Sequence, residues 1–517
     1  MSRHTHRPRG GPDLSGNGQQ LASLIKSARD IMRKDKGLSG ELDRLPMLTW
    51  ILFLKFLDDT EAIRQDEAAR TGAVYHPAIE PPYRWRDWAA DRSLTGSQLL
   101  DFLHQERTVR PDGTRGPGLF TYLRSLRSAD GQDRRDVIAS VFRGVTNRMV
   151  NGDLLRSVVD KVGSIHFHSS TEIHALSRLY ESMLREMRDA AGDSGEFYTP
   201  RAVVRFMVEV TAPRLGETVL DPACGTGGFL VETFAHLQPQ CRTAGDERVL
   251  QERSIFGQEA KPLPYLLCQM NLLLHGLSYP QITYGNSLAA PLESIADEDR
   301  VHVILTNPPF GGEEEPGILK NFPEDLRNSE TALLFLQLIM RKLRPDGRAA
   351  MVVPDGMLFG NKVSARIKHA LLRQFNLHTI VRLPRGVFLP YTAISANLLF
   401  FDSSGPTREI WYYEQPLPQG RRYTKTRPIQ DSDLADCRAW WKQRAESERA
   451  WRVPVSDVVV TDEQGHLSVN LDVKNPHRRE PEPEQRPPHA VLADLLGKET
   501  KIVSLLHELA PLLDPGP

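Results

Sequence analysis

The chain has 517 residues, 40% of them hydrophobic and 25% charged, and its 65 Lys and Arg against 66 Asp and Glu leave a formal net charge of −1. That length predicts about three domains of roughly 150 residues, and the composition is that of an ordinary globular protein. It excludes a membrane-spanning segment, since no apolar run reaches about 18 residues, and it excludes a polypeptide that grips nucleic acid through a large basic excess.

Residues 1–15 hold Arg, His, Gly and Pro but no apolar core, so they form no secretory signal, and residues 1–17 are expected to be a disordered tail. Residues 18–165 predict a helical domain: 21–32 is periodic and charged, 48–57 is apolar enough to be buried, and helical character returns at 99–103 and 137–154. Ile165-His166-Phe167-His168, with His174, lacks a carboxylate or cysteine at ligand spacing, so no metal is expected there. A helix over 176–187 then delivers the chain to Phe197 and Tyr198.

Residues 166–410 carry the chemistry. An apolar strand at 218–220 runs into Asp221-Pro222-Ala223-Cys224-Gly225-Thr226-Gly227-Gly228-Phe229, a Gly-rich turn followed by a helix from about Gly228. The glycines let backbone approach a ligand, and the helix start offers unpaired N–H groups. The spacing is neither the dinucleotide fingerprint nor a phosphate loop. An acid opening the turn suits a positively charged ligand, and Asp221 can face the methionine amino group of S-adenosylmethionine. A second strand, 254–258, ends at Glu259, an acid placed to accept from ribose hydroxyls. A third, at 282–284, leads to Asn286 and Ser287, where a base edge can be read. A fourth, 301–305, ends in Asn307-Pro308-Pro309-Phe310. Asn can both accept from an amine and donate to a ring nitrogen, each proline rigidifies the turn, and Phe310 can stack on a heterocycle. The four features fall at the carboxyl ends of successive strands, where open α/β sheets bind ligands.

Beyond them, the polar insert 311–328 reads as a mobile loop. A helix at 330–343, strands at 349–353 and 380–383, and a last strand at 393–401 complete the domain. Residues 411–475 read as a mixed tail region, in which Trp440, Trp441 and Trp451 are structural. Basic clusters stand at Lys26, Arg29, Arg33 and Lys34, and at Arg421, Arg422, Lys425 and Arg427. Residues 476–488 are a charged, Pro-rich linker, and 489–517 predict an amphipathic helix that needs a packing partner. Cys224, Cys241, Cys268 and Cys437 have no zinc-type spacing, and together with the composition they fit a reducing cytoplasm.

On these motifs the chain resembles the modification subunits of type I restriction–modification systems, which are adenine-N6 DNA methyltransferases. The resemblance covers nearly everything after the first seventeen residues. It rests on Gly195-Glu196-Phe197-Tyr198-Thr199-Pro200-Arg201, on the loop from Asp221 to Phe229, on Glu259, on Asn307 to Phe310, on Leu383-Pro384-Arg385-Gly386-Val387-Phe388-Leu389-Pro390-Tyr391, and on the apolar run Leu52-Phe53-Leu54-Lys55-Phe56-Leu57-Asp58-Asp59. It implies a Rossmann-like α/β methyltransferase domain between a helical domain and a C-terminal partner-binding helix. S-adenosyl-L-methionine is then the cofactor, held by Glu196, Phe197, Tyr198, Thr199, Asp221, Ala223, Gly225, Thr226, Gly227, Gly228, Phe229, Glu259, Asn286, Ser287 and Asn307. Asn307, Pro308 and Phe310 become the catalytic set, and Phe310 and Phe388 the two rings against the target base. The resemblance also implies double-stranded DNA and a specificity subunit as partners, two modification subunits to one specificity subunit, with a restriction endonuclease subunit as a further candidate. Many relatives carry Asp where this chain has Asn286. The alternative is a protein glutamine N5-methyltransferase, since a side-chain amide also fits the Asn-Pro-Pro turn; the accessory domains argue against it.

Overall fold

The structure is a computed structural model that describes residues 14–72, 74–127, 134–167, 176–177, 179–184, 199–389, 392, 394–418, 422–424, 426–477 and 488–513. Glu196, Phe197 and Tyr198 lie outside these residues, as do His168, His174, Tyr391, Arg421 and Lys425. The first helix, Leu14–Met32, starts inside the stretch expected to be a disordered tail. Pro12 is the last proline of that stretch, and the helix runs on through Gly16 and Gly18 despite their low helix propensity.

Helix Glu41–Thr71 is buried on every face from Leu45 to Asp59, as a helix apolar all round must be. Its one buried cation, Lys55, donates to both oxygens of Asp59 at 2.6 and 2.5 Å, one turn on; pairing makes a charge tolerable there. Helices Gly96–His104, Leu119–Ser125, Arg134–Arg143 and Gly152–Gly163 pack around it. The core of this helical part also contains Leu266, Leu267, Met270, Leu273 and Leu274 of helix Pro262–Leu274. Each such side chain contributes about 1.5–3 kcal/mol on burial, so the helical part and the sheet domain share a core. Tyr265 OH to Ser140 Oγ, 2.7 Å, and Arg64 to Ser278 Oγ, 3.0 Å, add polar ties.

Among the described residues nine strands form the central sheet: β1 (Val219–Asp221), β2 (Ile255–Glu259), β3 (Gln281–Tyr284), β4 (Val301–Thr306), β5 (Leu343–Pro354), β6 (Asn376–Arg382), β7 (Ala396–Asp402), β8 (Glu409–Glu414) and β9 (Ala450–Pro454). Their order is β9-β8-β6-β7-β5-β4-β1-β2-β3. β3, β2, β1, β4 and β5 are parallel, β7 is antiparallel to β5 and β6, β8 is parallel to β6, and β9 is antiparallel to β8. Both faces are covered. Ile304, Met351, Val353, Leu399 and Phe401 enter one core, and their chain neighbours Val303, Leu305, Val352, Leu398 and Phe400 the other. The strands therefore read as unbroken apolar runs. The order reverses between β1 and β4, which opens a crevice at their carboxyl ends.

The expected boundary at 410 cuts through β8. Residues 411–473 are no separate region: β8 and β9 extend the sheet, with Tyr412 stacked on Trp451 at 5.4 Å. The ribbon Val459–Thr461 with Leu467–Val469 returns to it through Tyr412 OH to the Leu471 carbonyl, 3.1 Å. The insert 311–328 differs too. Phe322 is buried, Asn321 donates to the Leu288 carbonyl at 2.9 Å, and Arg366 donates to that of Asp325 at 2.7 Å. The described chain divides into two compact units between Val473 and Lys474. The second contains helix Pro488–Leu513, on which Leu492, Leu495, Leu496, Ile502, Leu505 and Leu506 are exposed. Among the described residues no helix is long and apolar enough to cross a membrane, and no cluster of three metal-type ligands occurs.

Candidate active site

The turn after β1 is shaped by its glycines. Gly225 and Gly227 have φ of +53° and +80°, a region costly for other residues. A Cβ on Gly227 would lie 2.8 Å from Cys268 Sγ, and one on Gly228 2.5 Å from Arg201 Nη1. Helix Gly228–Leu237 follows, and its first two residues, Gly228 and Phe229, line the crevice.

Asp221, buried at the end of β1, accepts from Thr306 Oγ1 at 2.7 Å and from the Ala223 N–H at 3.1 Å. Burial pushes its carboxyl up to about 7 against these bonds, and the charge of Glu259 adds to the rise. Glu259, at the end of β2, accepts from the Lys261 N–H at 2.7 Å on one oxygen and from the Gly225 N–H at 2.9 Å on the other. Burial raises its carboxyl also, opposed by those N–H groups. Ser287 Oγ donates to the Pro222 carbonyl at 2.6 Å and joins the loop after β3 to the glycine turn. Asn286 uses its side-chain oxygen on the Leu288 N–H at 2.9 Å, which leaves one lone pair and its amide for a ligand. Asn307, after β4, donates to Thr199 Oγ1 at 3.0 Å, while its Oδ1 is buried without a partner among the described residues.

These groups surround one cavity of ≈250 Å³. Of the expected residues, Thr199, Asp221, Ala223, Gly225, Thr226, Gly228, Phe229, Glu259, Asn286, Ser287 and Asn307 line it. Gly227, Pro308, Phe310 and Phe388 do not; Pro309 does. Gly227 shapes the turn from behind, and Pro308 is buried. The expected sandwich of a base between Phe310 and Phe388 is not formed. The two rings meet edge to face, centroids 5.3 Å apart at 69°, which leaves no gap for a third ring. Phe388 is 3% exposed, a core residue that fixes the edge of Phe310.

Sequence reading missed several contributors. Thr306 is the polar last residue of an apolar strand, directly before Asn307, and that position was its signal. Arg201 closes the motif that begins at Gly195, yet its guanidinium is held by Glu181, Nε to Oε2 at 2.9 Å. Burial works against ionisation of Glu181 and the Arg201 charge overrides it, so its carboxyl sits below the usual range. Glu314 lines the cavity from the insert, anchored where its N–H donates to the Ser329 carbonyl at 3.2 Å. Phe335 lines it from helix Thr331–Lys342, where it looked like core alone.

The arrangement suits a flat, cationic, hydroxyl-bearing ligand: carboxylates at Asp221, Glu259 and Glu314, an apolar wall at Phe229 and Phe335, and a glycine turn that a Cβ would fill. The Asn307 oxygen, after β4 and unsatisfied among the described residues, calls for an N–H donor.

The N-6 DNA Methylase family model matches residues 171–484, and the HsdM N-terminal domain model matches 21–162. The chain is 43% identical over 508 residues to the EcoEI type I restriction enzyme methylase subunit of Escherichia coli, covering 95% of this chain and 97% of that one. It is similar to a crystal structure described as a modification subunit of a type I restriction enzyme from Vibrio vulnificus YJ016, at 63% identity and TM-score 0.83, over 89% and 97% of the two chains. A chain from a structure on complex assembly and conformational transition of the type I restriction–modification system matches at 40% identity and TM-score 0.75, over 96% and 98%. Full-length likeness to modification subunits, with a matching N-terminal domain, removes the protein glutamine alternative. The chain belongs to the N-6 DNA methylase family, as a methylase subunit of the type I restriction–modification kind.

Proposed function

We propose that this adenine-N6 DNA methyltransferase binds S-adenosyl-L-methionine in the cavity between β1, β2, β3 and β4 and acts on an adenine turned out of the duplex. The single observation behind the proposal is the buried Oδ1 of Asn307 beside that cavity, unpartnered among the described residues. When bound, the cofactor supplies an electrophilic methyl group on a sulfonium. Glu259 accepts from the ribose hydroxyls, Asp221 faces the methionine ammonium, and Asn286 and Ser287 meet the base edge of the cofactor. Asn307 Oδ1 accepts one N6 hydrogen of the target adenine and the Pro308 carbonyl the other, which orients the nitrogen and raises its electron density. No covalent enzyme intermediate is required, so catalysis is orientation and electrostatics. Phe310 offers the stacking surface, with Phe388 holding its edge.

We further infer that two copies join one specificity subunit on double-stranded DNA, and that helix Pro488–Leu513 is the docking element. A restriction endonuclease subunit is the third component of such a complex. Four cysteines without a disulfide and a DNA substrate fit the cytoplasm. The test is Asn307→Ala, assayed by transfer of tritiated methyl to DNA beside calorimetric titration of the cofactor. Turnover should fall about 100-fold or more, the scale for removing one preorganised polar group, with cofactor affinity nearly unchanged. Near-normal turnover would overturn the role.

A further inference from the structure

Tyr423 packs against the loop that leads to Phe388. At Gly386, whose φ is +86°, a Cβ would lie 3.0 Å from the Tyr423 carbonyl oxygen. Two residues later Phe388 meets Phe310. Tyr423 also lines a cavity of ≈500 Å³, together with Arg422, Thr426, Arg427, Gln430 and Asp433 among others. The one carboxylate among its described lining residues is already engaged: Asp433 Oδ2 accepts from Tyr423 OH at 3.1 Å and from the Gln430 N–H at 2.8 Å. Arg422 and Arg427 are exposed and make no ion pair or side-chain hydrogen bond among the described residues. Exposed Arg385, on the Gly386 loop itself, is in the same condition. Some arginines of the catalytic unit are matched by carboxylates, as Arg348 with Glu217, Arg382 with Asp472, Arg438 with Glu209 and Asp431, and Arg452 with Glu409 and Glu446; exposed Arg373 and Arg408 are not, but neither lines a cavity with polar donors. The backbone at Arg427 is held by reciprocal hydrogen bonds with Thr424, at 3.0 and 3.1 Å.

We propose that this cavity is a binding site for the phosphodiester backbone of the DNA strand that carries the target adenine. The proposal rests on the methyltransferase reading above. Unpaired guanidiniums facing a cavity with hydroxyl and amide donors fit phosphate oxygens, which guanidinium matches in a fork. The position beside the Phe388 loop favours the strand entering the active site over a free anion. Contacts of this class orient a duplex without reading its sequence. They also explain how a chain with 65 basic and 66 acidic residues holds DNA: the charge is local.

The test uses the complex with the specificity subunit and a duplex that the wild-type complex methylates. DNA affinity is measured from about 50 to 200 mM salt for wild type, the double variant Arg422→Ala/Arg427→Ala, and Arg422→Lys/Arg427→Lys. Removing both phosphate-binding guanidiniums should lower the slope of log affinity against log salt by roughly 1–2 and weaken binding at least tenfold. The lysine variant should keep most of the slope. Cofactor affinity, unchanged in both variants, shows that the fold is intact. An unchanged slope in the alanine variant overturns the proposal. So does failure to assemble with the specificity subunit while the slope of the remaining complex is preserved, because that assigns the surface to protein. If the wild-type complex methylates no duplex, the underlying reading fails, and this one with it.

Discussion

Asp221 is the residue at which electrostatics and the proposed cofactor meet. It is buried at 1% exposure, and both its hydrogen bonds run to one oxygen, Oδ1. Its carboxyl lies at about 7, above the ordinary carboxylate range, so the folded chain without ligand holds a proton there that the unfolded chain has lost. Ionising it as pH rises through about 7 therefore costs stability rather than adding it. A cationic ligand favours the ionised form and lowers the carboxyl again. Cofactor binding should thus release close to one proton at about pH 6, with affinity rising up to about pH 7 and falling above about pH 8, where the ligand's own α-amino group loses its proton. Calorimetry in buffers of different ionisation enthalpy measures this, and Asp221→Asn should abolish the release. Asp221, Glu259 and Asn307 were legible because each is a polar residue closing an apolar strand. Glu314 and Phe335 were not, since an acid in an acidic insert and an aromatic in an apolar helix look the same whether or not a cavity lies beside them.

Among elements, the turn from Asp221 to Gly228 is the most tightly specified. Gly227→Ala places a side chain in left-handed backbone, costing about 1–2 kcal/mol, and drives its Cβ toward Cys268 Sγ. The expected outcome is a melting temperature lower by several degrees and weaker cofactor binding, read by thermal scanning and titration; an unchanged melt would mean that the turn relaxes freely. The element most misread is β8. Its Ile410, Trp411, Tyr412 and Tyr413 carry an aromatic strand pattern, but a strand's partner is not written in its own residues. Tyr412→Ala removes a buried ring stacked on Trp451 and should cost about 3–5 kcal/mol. Because β8 lies inside the sheet, the whole catalytic unit should melt earlier in one transition rather than shed a tail.

For the molecule as a whole, the division between Val473 and Lys474 makes a sharp contrast testable. Ending the chain after Asn475 should leave cofactor binding intact and the main melting transition within about 2 °C, while reducing co-purification with the specificity subunit. Ending it after residue 408 removes β8, β9 and the ribbon beyond, and should yield no folded enzyme by circular dichroism. Retained partner binding by the first truncation would give helix Pro488–Leu513 another purpose. The helical part 18–165 should not be separable either, for it shares its core with helix Pro262–Leu274.

Local chemistry was within reach of the sequence. Turn glycines, strand-closing acids and the Asn-Pro-Pro-Phe turn follow from backbone freedom and side-chain type over a few neighbouring residues; they were enough to predict an open α/β sheet with a ligand crevice, and the methyltransferase reading came from the family that these motifs resemble. What tertiary structure alone decided involves residues far apart in the chain. The pairing of β8 with β6, the apolar contact between residues 45–57 and 266–274, the approach of Tyr423 to Gly386, and the edge-to-face closing of Phe310 on Phe388 all depend on which surfaces meet. Hydrophobic burial is non-directional, so a sequence says that an apolar face must be covered without saying by what.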